Sequence, residues 1–489
     1  MALRLYNSLT RKVEPFEPRT SGSAGIYVCG MTPSFHPHLG HARTFLTFDV
    51  LRRHLRNRGF KVTYVQNVTD IEDKIIERSA AEKVPWQEIV ERYYGEYKKC
   101  AAILGIEPPD VEPYATQEMD GIIEIIEQLV ARGDAYETGD GVYFSVQSFP
   151  RYSELSNRDI EELRAGARVA TREEKREPMD FALWKKAKPG EPSWPSPWGS
   201  GRPGWHIECS AMARRYLGDQ FDVHGGATDL IFPHHENEVA QTESVTGKHP
   251  MARYWMHAGL MMVDGQKMSK SLGNFTPLTV MLEKYSPAAI RYLFLQTGYR
   301  KPTNFTEEAI GGATEGVRKL YESVDALRSS TAAGERSSGR DESRPLPGLP
   351  TEEFDAFLDD DLNTSGALAW LQVRIRDEKS AALRGEGSAA AVALAERCLN
   401  ALGLPSAMGP RAEKGLSPQG RERLAPIAGD GAAALSDTEL VKAIIALRDQ
   451  ARASKDFKKS DELRAELARA GISIKDSKAG TEWSLDGPP

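Results

Sequence analysis

The chain has 489 residues, 40% hydrophobic and 27% charged, which is typical of a folded globular protein of about three domains. A net charge of −7 excludes a general polyanion binder, so any nucleic-acid contact has to come from a local basic patch. The sequence contains no apolar run long enough for a membrane span, and MALRLYNSLTRKVEPF at its start lacks the apolar stretch of a signal peptide. The 4 scattered cysteines form no disulfide framework, so we expect a cytoplasmic protein.

The first part of the chain alternates between strand and helix patterns. Residues 25–30, GIYVCG, predict a short buried strand, and apolar residues at helical spacing over 45–55 predict the helix that follows. Residues 62–65 predict the next strand, and Thr69 with Glu72 forms a capping-box pattern that predicts the start of a second helix. This alternation is typical of a parallel sheet with right-handed crossovers, which binds ligands beyond the carboxyl ends of its strands.

Farther along, the composition changes twice. The stretch from about 135 to 205 contains a charge run and many Pro, Gly and Trp residues, and we interpret it as an insertion into the sheet domain. Alternation then returns, and Pro233 is a favourable first residue for a helix. Residues 326–352 and 405–435 are linker-like in composition. The tail has helical periodicity over 437–470 and ends in a small strand-and-turn unit.

The sequence His38-Leu39-Gly40-His41 lies between the first predicted strand and the first predicted helix. A helix N-terminus presents unpaired N–H groups and the positive end of the helix dipole, which suits a phosphate. Gly40 has no Cβ, so a nucleotide can lie against the backbone, and the two histidines can donate hydrogen bonds to a reacting phosphoryl group. Two surface histidines in a loop are the alternative, but H-x-G-H should occur by chance only about 0.02 times in such a chain.

The string KMSKS occupies residues 267–271 and has a glycine close to each end. Its lysines, Lys267 and Lys270, make a basic loop that can close on a polyphosphate, although a solvated basic turn has the same composition. The two motifs, in this order and roughly 230 residues apart, resemble the HIGH and KMSKS signatures of class I aminoacyl-tRNA synthetases. This resemblance implies that His38 and His41 act on the α-phosphate of ATP, while the two lysines bind ATP and stabilise the departing pyrophosphate.

Four further residues have the side chains that zinc prefers: Cys29, Cys209, His234 and Glu238. His234 and Glu238 are four residues apart on a predicted helix and therefore lie on one face, while Cys29 ends the first strand. Spacing alone does not join residues spread over roughly 210 positions. A cysteine is also commonly just a small buried hydrophobe, which leaves the metal site open on the residues alone.

The segments YVCGMT, GRPGWHIECSAM, FDVHGGATDLIFPHHENEVAQ and MDFALWK resemble the cysteinyl-tRNA synthetase family, along nearly the whole chain. The resemblance implies that the four residues hold one Zn²⁺, which binds the thiolate of substrate cysteine. Serine is nearly isosteric with cysteine, so an apolar pocket would reject it weakly, whereas a soft metal prefers the thiolate. A purely structural zinc is the alternative, because four protein ligands usually close a site. The substrate-binding positions implied are Gly30, Thr32, Thr44, Asn67, Thr69, Trp205, His224 and Asp229.

The resemblance also implies an α/β fold of three domains. These are a Rossmann-like catalytic domain over 1–315 that contains the insertion, a helical tRNA-stem domain over 316–405, and a small mixed anticodon-recognition domain over 437–489. The last one carries a local basic patch of Arg452, Lys455, Lys458, Lys459 and Arg464. Arg452, Asp461 and Asp476 are implied anticodon contacts, and Trp483 could stack on an unpaired base. A solvated helix face is the alternative for each of these residues.

Together the motifs favour ATP-dependent activation of L-cysteine and its transfer to tRNA(Cys), with Mg²⁺ accompanying ATP, by a monomer. A cysteine ligase that joins cysteinyl-adenylate to a small amine, as in mycothiol synthesis, shares the motifs but lacks the tail from 437 onward. A non-catalytic zinc- and tRNA-binding protein would not need the histidines and lysines of the two ATP motifs. The chain departs from the family at Pro33-Ser34-Phe35, where Val-Tyr-Asp is usual.

Overall fold

The computed structural model describes residues 2–159, 174–267, 275–338, 351–384, 389–405, 416, 418–429, 431–432, 435–477 and 480–485. The chain divides into two compact units, Met1–Ala407 and Met408–Pro489. The strands are β1 (Arg4–Asn7), β2 (Lys12–Pro15), β3 (Ser23–Met31), β4 (Lys61–Val68), β5 (Ala135–Glu137), β6 (Gly141–Phe144), β7 (Phe181–Lys186), β8 (Gly201–Pro203), β9 (Phe221–Ala227), β10 (Ala252–Ala258), β11 (Met261–Val263), β12 (Gln266–Lys267), β13 (Thr303–Phe305), β14 (Ile472–Ser477) and β15 (Gly480–Leu485). The α-helices are α1 (Leu39–Asn57), α2 (Asp73–Glu82), α3 (Trp86–Ile103), α4 (Met119–Arg132), α5 (Trp205–Leu217), α6 (Glu236–Thr246), α7 (Leu278–Lys284), α8 (Pro287–Leu295), α9 (Glu307–Ser338), α10 (Glu352–Asp359), α11 (Thr364–Leu383), α12 (Ala389–Ala401), α13 (Pro418–Ala428), α14 (Asp437–Ala453) and α15 (Phe457–Arg469).

A four-stranded parallel sheet lies at the centre of the first unit, in the order β10–β9–β3–β4. Helix α1 connects β3 to β4 and buries Phe45, Phe48, Leu51 and Leu55 in the core beside the sheet, because apolar residues at this spacing share one helix face. Both strands and the helix were predicted from the sequence, and the α/β fold class is confirmed. The carboxyl ends of these strands form the edge at which such a sheet binds ligands.

The second helix begins later than its capping pattern predicts. Its N-cap is Glu72, whose side chain accepts a hydrogen bond from the Lys74 N–H, so the predicted cap at Thr69 is wrong. The Thr69 N–H is instead donated to the carbonyl of Met31 on the neighbouring strand, at 3.2 Å. A long-range bond between strand ends therefore replaces the local cap.

The helix predicted to start at Pro233 agrees with a break in the backbone at Phe232, whose φ of −136° and ψ of 130° are not helical. Residues Ile231–His235 form a π-helical turn across this break, and the turn continues into α6, which begins at Glu236. The two linker-like stretches are partly helical as well, because α9 continues to Ser338 and α13 lies within the second stretch. Composition alone is thus a poor guide in both stretches, because a helix that buries one apolar face tolerates Ser and Gly in its sequence.

The predicted insertion contains an antiparallel sheet in the order β5–β6–β7–β8. In the helical part that follows the sheet domain, α9 packs against α8, α11 and α12. The second unit buries an apolar core between α14, α15 and the hairpin β14–β15, which includes Leu440, Ile444, Leu463 and Leu467. None of the helices in the described part of the chain is both long and apolar enough to cross a membrane.

Candidate active site and metal centre

A β-bulge near the carboxyl end of β3 presents Cys29. The register against β4 passes from Val28 to Met31 while the partner strand advances by only two residues, so β3 carries one extra residue. At the bulge the Gly30 N–H donates to Asn67 Oδ1 at 2.8 Å, and a Cβ on Gly30 would lie 1.6 Å from the Asn67 carbonyl oxygen. Only glycine fits this approach, and bulges of this kind redirect neighbouring side chains.

The four candidate metal ligands lie together in one buried cluster, with their ligand atoms all within 4.8 Å of one another. The sulfur atoms of Cys29 and Cys209 are 3.8 Å apart, and Cys29 Sγ is 3.4 Å from Glu238 Oε1. His234 Nε2 is 3.1 Å from the same carboxylate oxygen. Residues from β3, α5, the π-helical turn and α6 are therefore joined at one point.

This donor set fits a tetrahedral zinc ion. Zinc–sulfur bonds of about 2.3 Å at the tetrahedral angle place two sulfurs about 3.8 Å apart, and zinc–nitrogen and zinc–oxygen bonds give slightly shorter separations. The observed distances of 3.8, 3.4 and 3.1 Å follow this order. Burial raises the pKa of Cys29 well above its usual value and also raises that of Cys209. A metal cation would therefore have to replace thiol protons when it binds.

The side-chain atoms that face away from the cluster are held by two further histidines. Glu238 Oε2 is 2.8 Å from His224 Nε2, and His234 Nδ1 is 2.9 Å from His206 Nδ1. Such partners fix the orientation of a ligand and the tautomer of an imidazole ligand. His234 and Glu238 thus each offer one atom to the cluster, and a neighbouring histidine holds the second atom of each.

Sequence reasoning missed three histidines beside this site: the buried His235 and His257 and the half-buried His206. His235 Nδ1 is 2.8 Å from His257 Nε2, and burial lowers the pKa of both His206 and His257 to about 3. These imidazoles are therefore neutral at physiological pH. A second possible metal group consists of Cys29, His224, His235 and Glu238, so it shares two residues with the first. The only sequence signal was adjacency, since His206 follows Trp205 and His235 follows His234.

The His38–His41 motif forms the N-terminus of α1. His38 is the N-cap residue, and its Nδ1 accepts the Gly40 N–H at 3.1 Å, while His41 Nδ1 accepts the His38 N–H at 3.3 Å. The two rings stack with centroids 3.8 Å apart. Because both Nδ1 atoms act as acceptors, each neutral ring carries its proton on Nε2, the nitrogen that can donate to an anion.

The KMSKS string lies mostly outside the described residues. The backbone of Lys267 forms the end of β12, whereas Lys270 falls within 268–274 and is not described. Where the chain is described again, the ring of Phe275 lies 5.4 Å from that of His38 and 5.2 Å from that of Phe35. The unusual Phe35 thus fills space beside the histidine motif.

The implied substrate-binding residues fall into several groups. Gly30, Asn67 and Thr69 are hydrogen-bonded together at the ends of β3 and β4, since Asn67 Nδ2 donates to Thr69 Oγ1 at 3.2 Å. Trp205 begins α5 with its ring 4.3 Å from that of His234, and it is 36% exposed. Asp229 is exposed on the short turn after β9.

Two threonines complete this set, one on the loop after β3 and one on α1. Thr32 is half-buried, and its carbonyl accepts the Ser34 N–H at 2.8 Å. Thr44 is buried, and its hydroxyl donates to the Gly40 carbonyl at 3.1 Å, within the His38–His41 turn. Both therefore help to shape the backbone that leads from the metal cluster to the histidine motif.

In the second unit, Arg452 lies in the last turn of α14 and Asp461 lies on α15, and both are exposed. Asp476 is on β14, and its side chain is outside the described part of the structure. Trp483 packs against the core of the unit, whereas Phe457 at the start of α15 is 64% exposed. The exposed aromatic beside the basic residues is therefore Phe457, which sequence reasoning did not single out.

Comparison with known proteins identifies the family. The family model for the class I (C) tRNA synthetase catalytic domain matches residues 15–315, and that for the cysteinyl-tRNA ligase anticodon-binding domain matches residues 438–483. The cysteine–tRNA ligase of Halorhodospira halophila is 45% identical over 482 residues, which cover 98% of this chain and 99% of that protein. That of Geobacter sulfurreducens is 43% identical over 488 residues, which cover 99% and 100%. The chain belongs to the cysteine–tRNA ligase family.

The fold is that of class I synthetases. Methionyl-tRNA synthetase of Mycobacterium tuberculosis bound by methionyl-adenylate aligns with a TM-score of 0.56 at 16% identity, over 78% of this chain and 89% of that chain. At this identity the likeness concerns the fold alone. It agrees with the central parallel sheet, and the family match confirms the predicted enzyme class.

Proposed function

We propose that the chain activates L-cysteine with ATP and transfers the cysteinyl group to tRNA(Cys), acting as a monomer. The observation that carries this proposal is the buried cluster of Cys29, Cys209, His234 and Glu238 near the carboxyl end of β3. The same strand leads through a short loop to the helix end formed by His38 and His41. Residues suited to sulfur and residues suited to phosphate thus follow one another along the chain, and cysteine adenylation uses both.

We infer that the cluster holds one Zn²⁺ per chain. Zinc bound there supplies a soft Lewis acid that prefers a thiolate to a neutral hydroxyl, and so favours cysteine over serine. His224 and His206 keep Glu238 and His234 in place. Trp205 covers one side of His234, and the exposed carboxylate of Asp229 is suited to pair with the substrate ammonium group.

In the activation step, a carboxylate oxygen of cysteine attacks the α-phosphorus of ATP·Mg²⁺, the bond to the bridging oxygen breaks, and pyrophosphate leaves. His38 and His41 would donate from Nε2 to the α-phosphate oxygens as charge develops there. Gly40 lets the nucleotide approach the backbone. Lys267 and Lys270 would bind the β- and γ-phosphates, an assignment that rests on the family resemblance.

In the transfer step, a hydroxyl of the terminal ribose of tRNA attacks the carbonyl carbon, AMP leaves, and the hydroxyl proton is released. We assign catalysis to residues 1–315, stem binding to 316–405 and anticodon recognition to 437–489. In the last region the exposed Arg452, Asp461 and Phe457 offer a cation, a carboxylate and a stacking surface. This separate unit disfavours the small-amine ligase, which does not read an anticodon.

The test is ATP-dependent attachment of labelled cysteine to tRNA(Cys), with serine in parallel. We expect charging with cysteine and not with serine. Cysteine-dependent exchange of pyrophosphate without transfer would instead support the small-amine ligase, and no activation of cysteine at all would refute the enzymatic proposal. Lys270→Ala should slow activation strongly, whereas Lys248→Ala, at an exposed lysine paired with Asp219, should not.

A further inference from the structure

Arg43 lies two residues after His41 on α1 and is almost completely buried, with 2% of its surface exposed. Within the described part of the chain, its guanidinium donates only to backbone carbonyls. Nε donates to Gly259 at 3.2 Å, and Nη2 donates to Gly298, Tyr299 and Lys301 at 3.3, 3.2 and 2.6 Å. Among the described residues no carboxylate forms an ion pair with it.

Burying the charged guanidinium of Arg43 in this way is energetically unfavourable. Removing a charge from water without a counter-ion is unfavourable, and burial lowers the pKa of Arg43 to about 10. Two other buried arginines of the same region differ, because Arg52 and Arg291 are both ion-paired with Asp49. An apolar side chain at the position of Arg43 would be buried without this loss of hydration free energy. What the arginine adds is a set of hydrogen bonds that joins two separate backbone segments to α1.

Those two segments lead directly into the small sheet β12–β11–β13. Gly259 is followed by β11, and Lys301 is followed by β13, which pairs with β11 in parallel register. Strand β11 in turn pairs with β12, where Met262 lies opposite Lys267. The Arg43 hydrogen bonds are therefore located where Gly259 and Lys301 lead into this sheet, and we call this place the root of the sheet. The same sheet carries the first lysine of the ATP motif.

At this root, the backbone segment that contains Gly259 lies very close to the segment that contains Lys301. A Cβ on Gly259 would lie 2.4 Å from the carbonyl oxygen of Lys301 and 2.7 Å from that of Arg300. The Gly259 N–H also donates to the Tyr299 carbonyl at 2.7 Å. The two segments thus pack without a side chain between them, and the guanidinium of Arg43 binds both at once.

On the other side of the KMSKS string, the chain is attached to the histidine motif itself. The Leu278 N–H donates to the Pro37 carbonyl at 2.7 Å, and Pro277 forms an isolated bridge with His38. This second attachment is direct and short. The first attachment, through β12, reaches α1 by way of the small sheet and Arg43.

We propose that Arg43 is a positioning residue for the ATP step: it holds the sheet β12–β11–β13, and with it the backbone of Lys267, at a fixed place relative to the His38–His41 end of α1. The inference rests on the proposed function, because it assigns the role of Arg43 through Lys267 as an ATP-binding residue. Arg43 itself contacts no substrate in this scheme. Small displacements of groups that stabilise a transition state are known to reduce turnover strongly.

The test is cysteine-dependent pyrophosphate exchange by Arg43→Gln and Arg43→Lys. We expect kcat to fall about 10- to 100-fold in Arg43→Gln, the range for misplacement by about 1 Å, while the KM for cysteine stays unchanged. Arg43→Lys keeps a cation that can reach some of the carbonyls, so it should recover part of the loss. Amide hydrogen exchange should become faster over 259–267 and 298–305 in Arg43→Gln.

Arg52→Gln is the matched control, because Arg52 lies on the same helix with 1% of its surface exposed. It binds the Pro108 carbonyl and Asp49, away from the small sheet. This variant should lose stability but keep its kcat. Equal loss of kcat in the Arg52 and Arg43 variants would show a general structural effect and overturn the inference, as would an unchanged kcat in Arg43→Gln.

Gly259→Ala perturbs the same root from the opposite side and should reproduce the fall in kcat at unchanged KM for cysteine. It keeps the inference testable if Arg43→Gln does not fold. A normal kcat in folded Gly259→Ala and in Arg43→Lys together would count against the positioning role. An inactive wild-type enzyme would overturn the proposed function and this inference with it, whereas an active wild type with unaffected variants overturns only the inference.

Discussion

Replacing His206 by phenylalanine should weaken zinc binding without removing a zinc ligand. His206 Nδ1 lies 2.9 Å from His234 Nδ1, so the change removes the partner that fixes the orientation of the His234 ring. Loss of such a partner typically costs 10- to 100-fold in metal affinity, or about 1.4–2.7 kcal/mol. The position tolerates an aromatic ring, because the rings of Phe181 and Trp205 already surround it at 5.7 and 5.3 Å.

Competition with a chromogenic zinc chelator measures the effect, with His257→Phe as the control. His257 is buried and also bonds a histidine, but its partners are His235 at 2.8 Å and Ser8 at 2.8 Å rather than a proposed ligand. We expect zinc affinity to fall for His206→Phe and to stay near the wild-type value for His257→Phe. Wild-type affinity in His206→Phe would refute the reasoning, and equal losses in both variants would show general damage to the core.

Three further changes test separate parts of the structure. Arg291→Met should lower the free energy of unfolding by about 1.5–3 kcal/mol in urea titrations, because it removes one of the three arginines, with Arg52 and Arg53, that bind the buried carboxylate of Asp49. Phe457→Ala should weaken tRNA(Cys) binding by about 1–3 kcal/mol in filter-binding assays while pyrophosphate exchange stays unchanged, since the ring is 64% exposed. Gly30→Ala should lower the zinc content measured by atomic absorption, because its Cβ would collide with the Asn67 carbonyl and displace the bulge.

Features that depend on neighbouring residues were predicted well from the sequence. The apolar run at 25–30 corresponds to β3, and the helical spacing over 45–55 corresponds to α1. Both signals are local, because burial of one face requires apolar residues at the period of that element. The position of the His38–His41 motif between the two elements then followed from chain order, and it is the N-terminus of α1.

Features decided by distant backbone were predicted poorly. The Thr69–Glu72 pattern has the residues of a capping box, but Thr69 is held by Met31 and Asn67 at the strand ends, so the helix starts at Asp73 instead. The local cap is worth about 1 kcal/mol and is easily outweighed by bonds that join neighbouring strands. No pattern within a few residues of Thr69 contains that information.

The candidate metal cluster shows which of its contacts sequence spacing can predict. The sequence placed His234 and Glu238 on one helix face because they are four residues apart, and their side chains lie 3.1 Å from each other. The partner of His234, by contrast, is His206 on a different helix, and no periodicity relates the two. Spacing can therefore indicate ligands that share an element, but the residues that orient those ligands become visible only in the folded chain.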